Sequence, residues 1–229
     1  MWRLIAHQLY FFLNINRNRF IFFMILFGLF VGGVVVQTAG NPHLRILTVM
    51  LGGTVGNDMV GQTVFPTGWF ITLLLPVLAL GDSIPQLWRQ QGVQIWGTGF
   101  TRRQFALVDV ILIVTYAISY WLIVCSALLV VQLPREVWFL AILLPIMIFM
   151  LLIETWLSWL NQYVGVAFII IWLVLTVYTI LPFNPLNLTM LIRESSVQFI
   201  SILMMNGNFL LVIVLYVGCF PNLIEKWSE

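Results

Sequence analysis

Apolar residues in this chain run in long blocks, and the polar residues are gathered between them. Residues 20–37, 68–84, 105–131, 137–160, 164–181 and 208–224 each approach the length of about 20 apolar residues that carries a helix across roughly 30 Å of hydrocarbon. Within such blocks the backbone has only itself to bond with, so each is expected to be helical. The pattern predicts an all-α integral membrane protein of six transmembrane helices, with residues 1–229 forming one transmembrane domain.

The segments between the blocks carry their own signals. Residues 1–19 set Arg3, His7, Gln8, Asn14, Asn16, Arg17 and Arg19 among apolar neighbours, a mixture that predicts an amphipathic helix lying in the membrane interface. A signal peptide fits less well, because the apolar run behind this segment is long and no pair of small residues marks a cleavage site near Thr38. Residues 38–66, with Asn41, Pro42, His43, Arg45, Asp58 and several glycines, read as an outer connection with a short interfacial turn at 44–51. Pro134, Arg135 and Glu136 form a tight turn into the fourth span, and Asn161, Gln162 and Tyr163 another into the fifth. PFNPLN closes the fifth span, a short outer or re-entrant helix is expected at 187–204, and Asn206, Gly207 and Asn208 break the chain before the last span.

Composition turns this pattern into an exclusion. Charged residues make up 8% of the chain against about 25% in a soluble domain, and 62% of the residues are hydrophobic, so a water-soluble fold is ruled out. Mean hydropathy is +1.05. The net charge of +2 comes from scattered cations with no basic run to neutralise a row of phosphates, which argues against a nucleic-acid partner. Cys125 and Cys219 both lie in apolar blocks and are expected to act as small hydrophobes.

Lysine and arginine orient the chain. Arg3, Arg17, Arg19, Arg89, Arg102, Arg103 and Lys226 would lie on one side of six spans, with Arg45, Arg135 and Arg193 on the other. The positive-inside bias places both termini in the cytoplasm of a multi-pass plasma-membrane protein. The polar stretch 82–109 between spans two and three then faces the cytosol.

Catalytic patterns are missing. The only lysine is Lys226, so no phosphate-binding GxxxxGK[ST] loop exists, and neither H-E-x-x-H, a paired-cysteine metal pattern nor GxSxG occurs. His7 and His43 fall on opposite sides of the membrane in this topology. The chain is not expected to be an enzyme or to hold a cofactor of its own. An ion-coupled secondary transporter would need charge at mid-depth; Glu154 is the nearest candidate, and a snorkelling or turn-capping role accounts for it. Trp2, Trp69, Trp138, Trp156, Trp159 and Trp227 stand near span ends, as an aromatic belt predicts. GLFVG in span one sets Gly28 and Gly32 on one face, where helices approach closely within the chain or across a dimer.

Residues 82–109 are the most informative piece. Leu87, Trp88, Val93, Ile95 and Trp96 can lie against apolar surface while Arg89, Gln90, Gln91 and Gln94 face water, and Gly92, Gly97 and Gly99 permit a turn before Arg102 and Arg103 lead into span three. In order and spacing this segment resembles the loop between spans two and three of ABC-2 type transporter permeases. An acidic residue (Asp82), a basic and polar turn with glycine (Arg89 to Gly92), a short apolar helix (Val93 to Trp96) and a Thr-Arg-Arg entry into the next span (Thr101 to Arg103) follow one another as they do in that family. The whole plan is similar too: an amphipathic N-terminal helix, six spans, a large first outer loop and a broken stretch before the last span. Asp82 departs from the family's usual glutamate, and Asp109 stands where many members have a lysine.

The resemblance implies a permease subunit that pairs with a second copy or a paralogue and with separate cytosolic ABC ATPase subunits, which bring ATP and magnesium. The segment would act as a coupling helix presenting Trp88, Arg89, Ile95, Trp96, Arg102 and Arg103 to the ATPase. Small permeases of this kind resemble bacterial exporters of peptides such as lantibiotics and other bacteriocins, so a hydrophobic or amphipathic exported substrate is expected. A non-transporting immunity or sensor protein, or a membrane scaffold, is the alternative.

Overall fold

A computed structural model describes residues 2–39, 46–52, 65–96, 101–131, 137–161, 163–179, 184–190 and 211–218; at 46–48, 90–96, 102, 128–131 and 137–139 the backbone alone is described. Every regular element among them is helical. In chain order they are α1 (Trp2–Ala39), α2 (Ile46–Leu51), α3 (Thr67–Leu80), α4 (Ser83–Trp96), α5 (Arg102–Val131), α6 (Val137–Ser158), α7 (Val164–Tyr178), a 3-10 turn (Pro185–Thr189) and α8 (residues 211–218). Four stretches are long and apolar enough to cross a membrane: α1, α3 continued through the start of α4, α5 and α6. Most of the re-entrant helix expected at 187–204, and the ends of the span expected at 208–224, lie outside the described residues.

The N-terminal amphipathic helix and the first span are not separate elements. They run together as α1, whose 38 residues measure about 57 Å at 1.5 Å per residue. The polar run Asn14 to Arg19 contains neither glycine nor proline, so nothing in it halts the helix, and two of its side chains find partners elsewhere in the bundle. Leu4, Gln8, Phe12 and Asn16, spaced four apart, are the buried face of its first half.

α3 and α6 form the centre. α5 and α7 pack on α6, α7 also touches α3, and α1 lies along the outside against α3, α4 and α5. Both central helices contain a proline, Pro76 in α3 and Pro145 in α6. Proline has no N–H to offer the carbonyl four residues back. In α3 that carbonyl belongs to Thr72, and the Tyr120 hydroxyl of α5 donates to it at 3.0 Å. Tyr116, one turn earlier, donates to the Pro76 carbonyl at 3.0 Å, so α5 is tied to the proline turn at two levels.

Two of the expected belt tryptophans are internal. Trp69 is buried and donates its indole N–H to Thr189 of the 3-10 turn at 2.8 Å, docking that turn onto α3. Asn184 caps that turn, accepting from the Leu186 N–H and donating to Thr176 of α7. Trp159 is likewise buried, whereas Trp2 and Trp156 are exposed. Trp138 and Trp227 lie outside the residues whose side chains are described.

Candidate functional site

A layer of polar side chains crosses the bundle where α3 meets α4. α3 ends at Gly81, whose φ of 44° is one that residues with a Cβ rarely adopt. A Cβ there would also run into the Arg19 guanidinium, which closes over the turn. Arg19 donates from Nε to the Leu78 carbonyl at 3.2 Å and from Nη1 to Asp82 at 3.1 Å. It therefore caps the carbonyl end of α3 and holds the first acidic residue after it. One turn down α1, Asn16 donates to the Phe12 carbonyl at 2.9 Å and accepts the Ser83 hydroxyl at 2.7 Å. The start of α4 is thus fixed to α1 by an ion pair and a hydrogen bond.

Further along, α4 is fixed to α5. Trp88 is buried, packs edge-on against Phe105 at 4.7 Å between ring centres, and donates its indole N–H to both oxygens of Asp109 at 3.0 Å. Tyr216 of α8 also stands within reach of Asp109 and of Trp159. Aspartate at position 109 has a physical reason: a buried indole N–H needs an acceptor, and a lysine could not accept.

Glu154 completes the layer. Its carboxylate is fully buried, takes a hydrogen bond from Ser158 at 3.0 Å and lies 3.5 Å from the Thr155 hydroxyl. Arg19, Asp82 and Tyr216 stand within electrostatic reach. This corrects the expectation of a snorkelling or turn-capping side chain, because Glu154 turns inward. Gly165 lets α7 close on this turn of α6: a Cβ there would strike the Glu154 backbone carbonyl and the Ser158 hydroxyl. Among the described residues no three histidine, cysteine, aspartate or glutamate side chains are grouped as a metal site.

The expected coupling residues divide. Trp88 faces inward and presents no surface to a partner, while Arg89 and Arg103 are exposed; the side chains of Ile95, Trp96 and Arg102 are outside those described. Gly28 and Gly32 are exposed, and a Cβ on either would meet nothing within 4 Å. Close packing of this pair within the chain is therefore not seen among the described residues.

Sequence reasoning singled out none of Asn16, Ser83, Asp109, Glu154 and Tyr216 as site residues. A polar side chain standing among apolar neighbours was the available signal for Asp109 and Tyr216; Asn16 and Ser83 sit in polar stretches and carried no such mark. Comparison with family models, curated proteins and solved structures gives no match.

Proposed function

We propose that this chain is the membrane-spanning subunit of an ABC-2 type exporter, a permease that pairs with a second permease chain and is driven by separate ABC ATPase subunits. One observation carries the reading: α4 is an amphipathic helix braced at two points, to α1 through Arg19–Asp82 and Asn16–Ser83, and to α5 through Trp88–Asp109. A helix held this way passes a rigid-body displacement into both neighbours, whereas a loose loop would absorb it. Arg89 and Arg103 are exposed on that unit and offer charge to a docked protein.

In this reading the α4 end and both termini are cytoplasmic, the membrane is a bacterial plasma membrane, and the substrate is hydrophobic or amphipathic, a bacteriocin-like peptide being the leading class. The carboxylates of Asp82, Asp109 and Glu154 are engaged with Arg19, Trp88 and Ser158, which supports an apolar pathway over one that binds an ion or a sugar.

The test is co-expression with neighbouring reading frames that carry a phosphate-loop motif. An ATPase that co-purifies, and whose turnover this chain alters, supports the reading. Reversing charge at Arg89 and Arg102 together should then release the ATPase or uncouple hydrolysis from export. Intact assembly with unchanged coupled turnover removes the assignment, and absence of any such partner under gentle extraction favours the immunity or scaffold alternative.

A further inference from the structure

A groove of about 330 Å³ runs between α1 and α5 and is floored by Leu75 and Ala79 of α3. Its α1 wall includes Leu13, Phe20 and Met24. Its α5 wall carries four hydroxyl groups, and each already donates to a backbone carbonyl: Thr115 to Ile111, Ser119 to Thr115, Tyr116 to Pro76 and Tyr120 to Thr72. With those hydrogens spent, the groove presents hydrocarbon to its occupant. Exposed Ile21 and Ile25 on α1 and Ile118 and Leu122 on α5 flank it, so it opens sideways toward lipid.

Arg17 lies along the lateral edge of the groove, about midway between Leu9 and Met24, which end its α1 wall. The spacing 13, 17, 20, 24 places it on the helix face that Leu13, Phe20 and Met24 share, and its side chain is exposed. Among the described residues the recorded ion pair is Arg19–Asp82, which leaves Arg17 without a carboxylate there. Its depth is set by the helices. From Arg19, α1 has 20 residues left to Ala39, or about 30 Å, and α5 from Leu112 to Val131 spans the same length, matching the thickness of a hydrocarbon core. The guanidinium therefore stands where acyl chains give way to headgroups.

We propose that this groove is a binding site for an anionic phospholipid, with one acyl chain between α1 and α5 and the phosphate against Arg17. The charge preference follows from what surrounds the phosphate. Among the described residues Asp109 and Glu154 are buried and Asp82 is engaged by Arg19, whereas Arg17 is exposed, so the described part of the rim favours an anionic headgroup over an ammonium. The proposal is independent of the permease reading.

It is tested on the delipidated full chain in detergent, by native mass spectrometry and thermal unfolding with phosphatidylglycerol or phosphatidylcholine of identical acyl chains. Phosphatidylglycerol should bind and raise the unfolding temperature more than phosphatidylcholine. Arg17→Gln should weaken phosphatidylglycerol about tenfold, the loss of one charge-assisted contact, and leave phosphatidylcholine unchanged. Arg3→Gln, about 21 Å away along α1, should change neither. Ser119→Trp or Thr115→Phe, which fill the groove, should remove the stabilisation. Equal binding of the two lipids, an Arg17→Gln protein identical to wild type, or the same stabilisation by glycerol phosphate without acyl chains would overturn it.

Discussion

Asp109 meets the Trp88 indole with both oxygens, so the contact needs an acceptor and not a charge. Asp109→Asn keeps an acceptor and should be nearly neutral, whereas Asp109→Ala orphans a buried N–H and should cost about 1–3 kcal/mol. Thermal unfolding in detergent checks this, and Asp109→Ala should cost less once Trp88→Phe has removed that donor, the remainder reflecting the contact with Tyr216. Gly81 makes a second prediction at this scale. Its φ of 44° and the Arg19 guanidinium packed over it mean that Gly81→Ala is both strained and obstructed. A loss of about 1–3 kcal/mol is expected, together with mobility of the Arg19 side chain. Stability equal to wild type would show that the turn tolerates a Cβ.

Among the elements, helicity of the apolar blocks was legible from residue type alone, since a segment that must satisfy its backbone without water has few alternatives. The continuity of α1 was not. Residues 1–19 read locally as an interfacial helix separate from the first span, and what carries the helix through Asn14 to Arg19 is the pairing of Asn16 with Ser83 and of Arg19 with Asp82, partners 67 and 63 residues away. The inward turn of Glu154 was hidden for a related reason, because the Ser158 hydroxyl that holds its carboxylate is packed against Gly165 of the next helix. Trp69 was misplaced in a lipid-facing belt because its acceptor, Thr189, lies 120 residues on. These pairings give the third prediction. Arg19→Ala and Asp82→Ala should show a coupling energy of about 1 kcal/mol in a double-mutant cycle, as suits a half-exposed pair. Arg19→Lys should rescue only part of it, since one ammonium cannot also keep the directed bond to the Leu78 carbonyl. Gly28 and Gly32 give the fourth. With nothing near them, replacing both by leucine should leave the fold of a single chain within about 0.5 kcal/mol. Any larger effect should be confined to association between chains, measured by cross-linking.

At the scale of the whole molecule, the described ion pair and the buried carboxylates gather where α3 meets α4, and the helices that meet there are α1, α3, α4, α5, α6 and α8. Such a layer joins parts that would otherwise slide on featureless apolar surfaces. The Arg19–Asp82 pair also falls close to the middle of α1, with about 26 Å of helix on one side and about 30 Å on the other. A rod fastened near its centre is a lever with nearly equal arms. A tilt of about 10° about that fastening would swing the two ends about 5 Å in opposite directions, so a push on the N-terminal arm would emerge across the membrane with its sense reversed and its size almost undiminished.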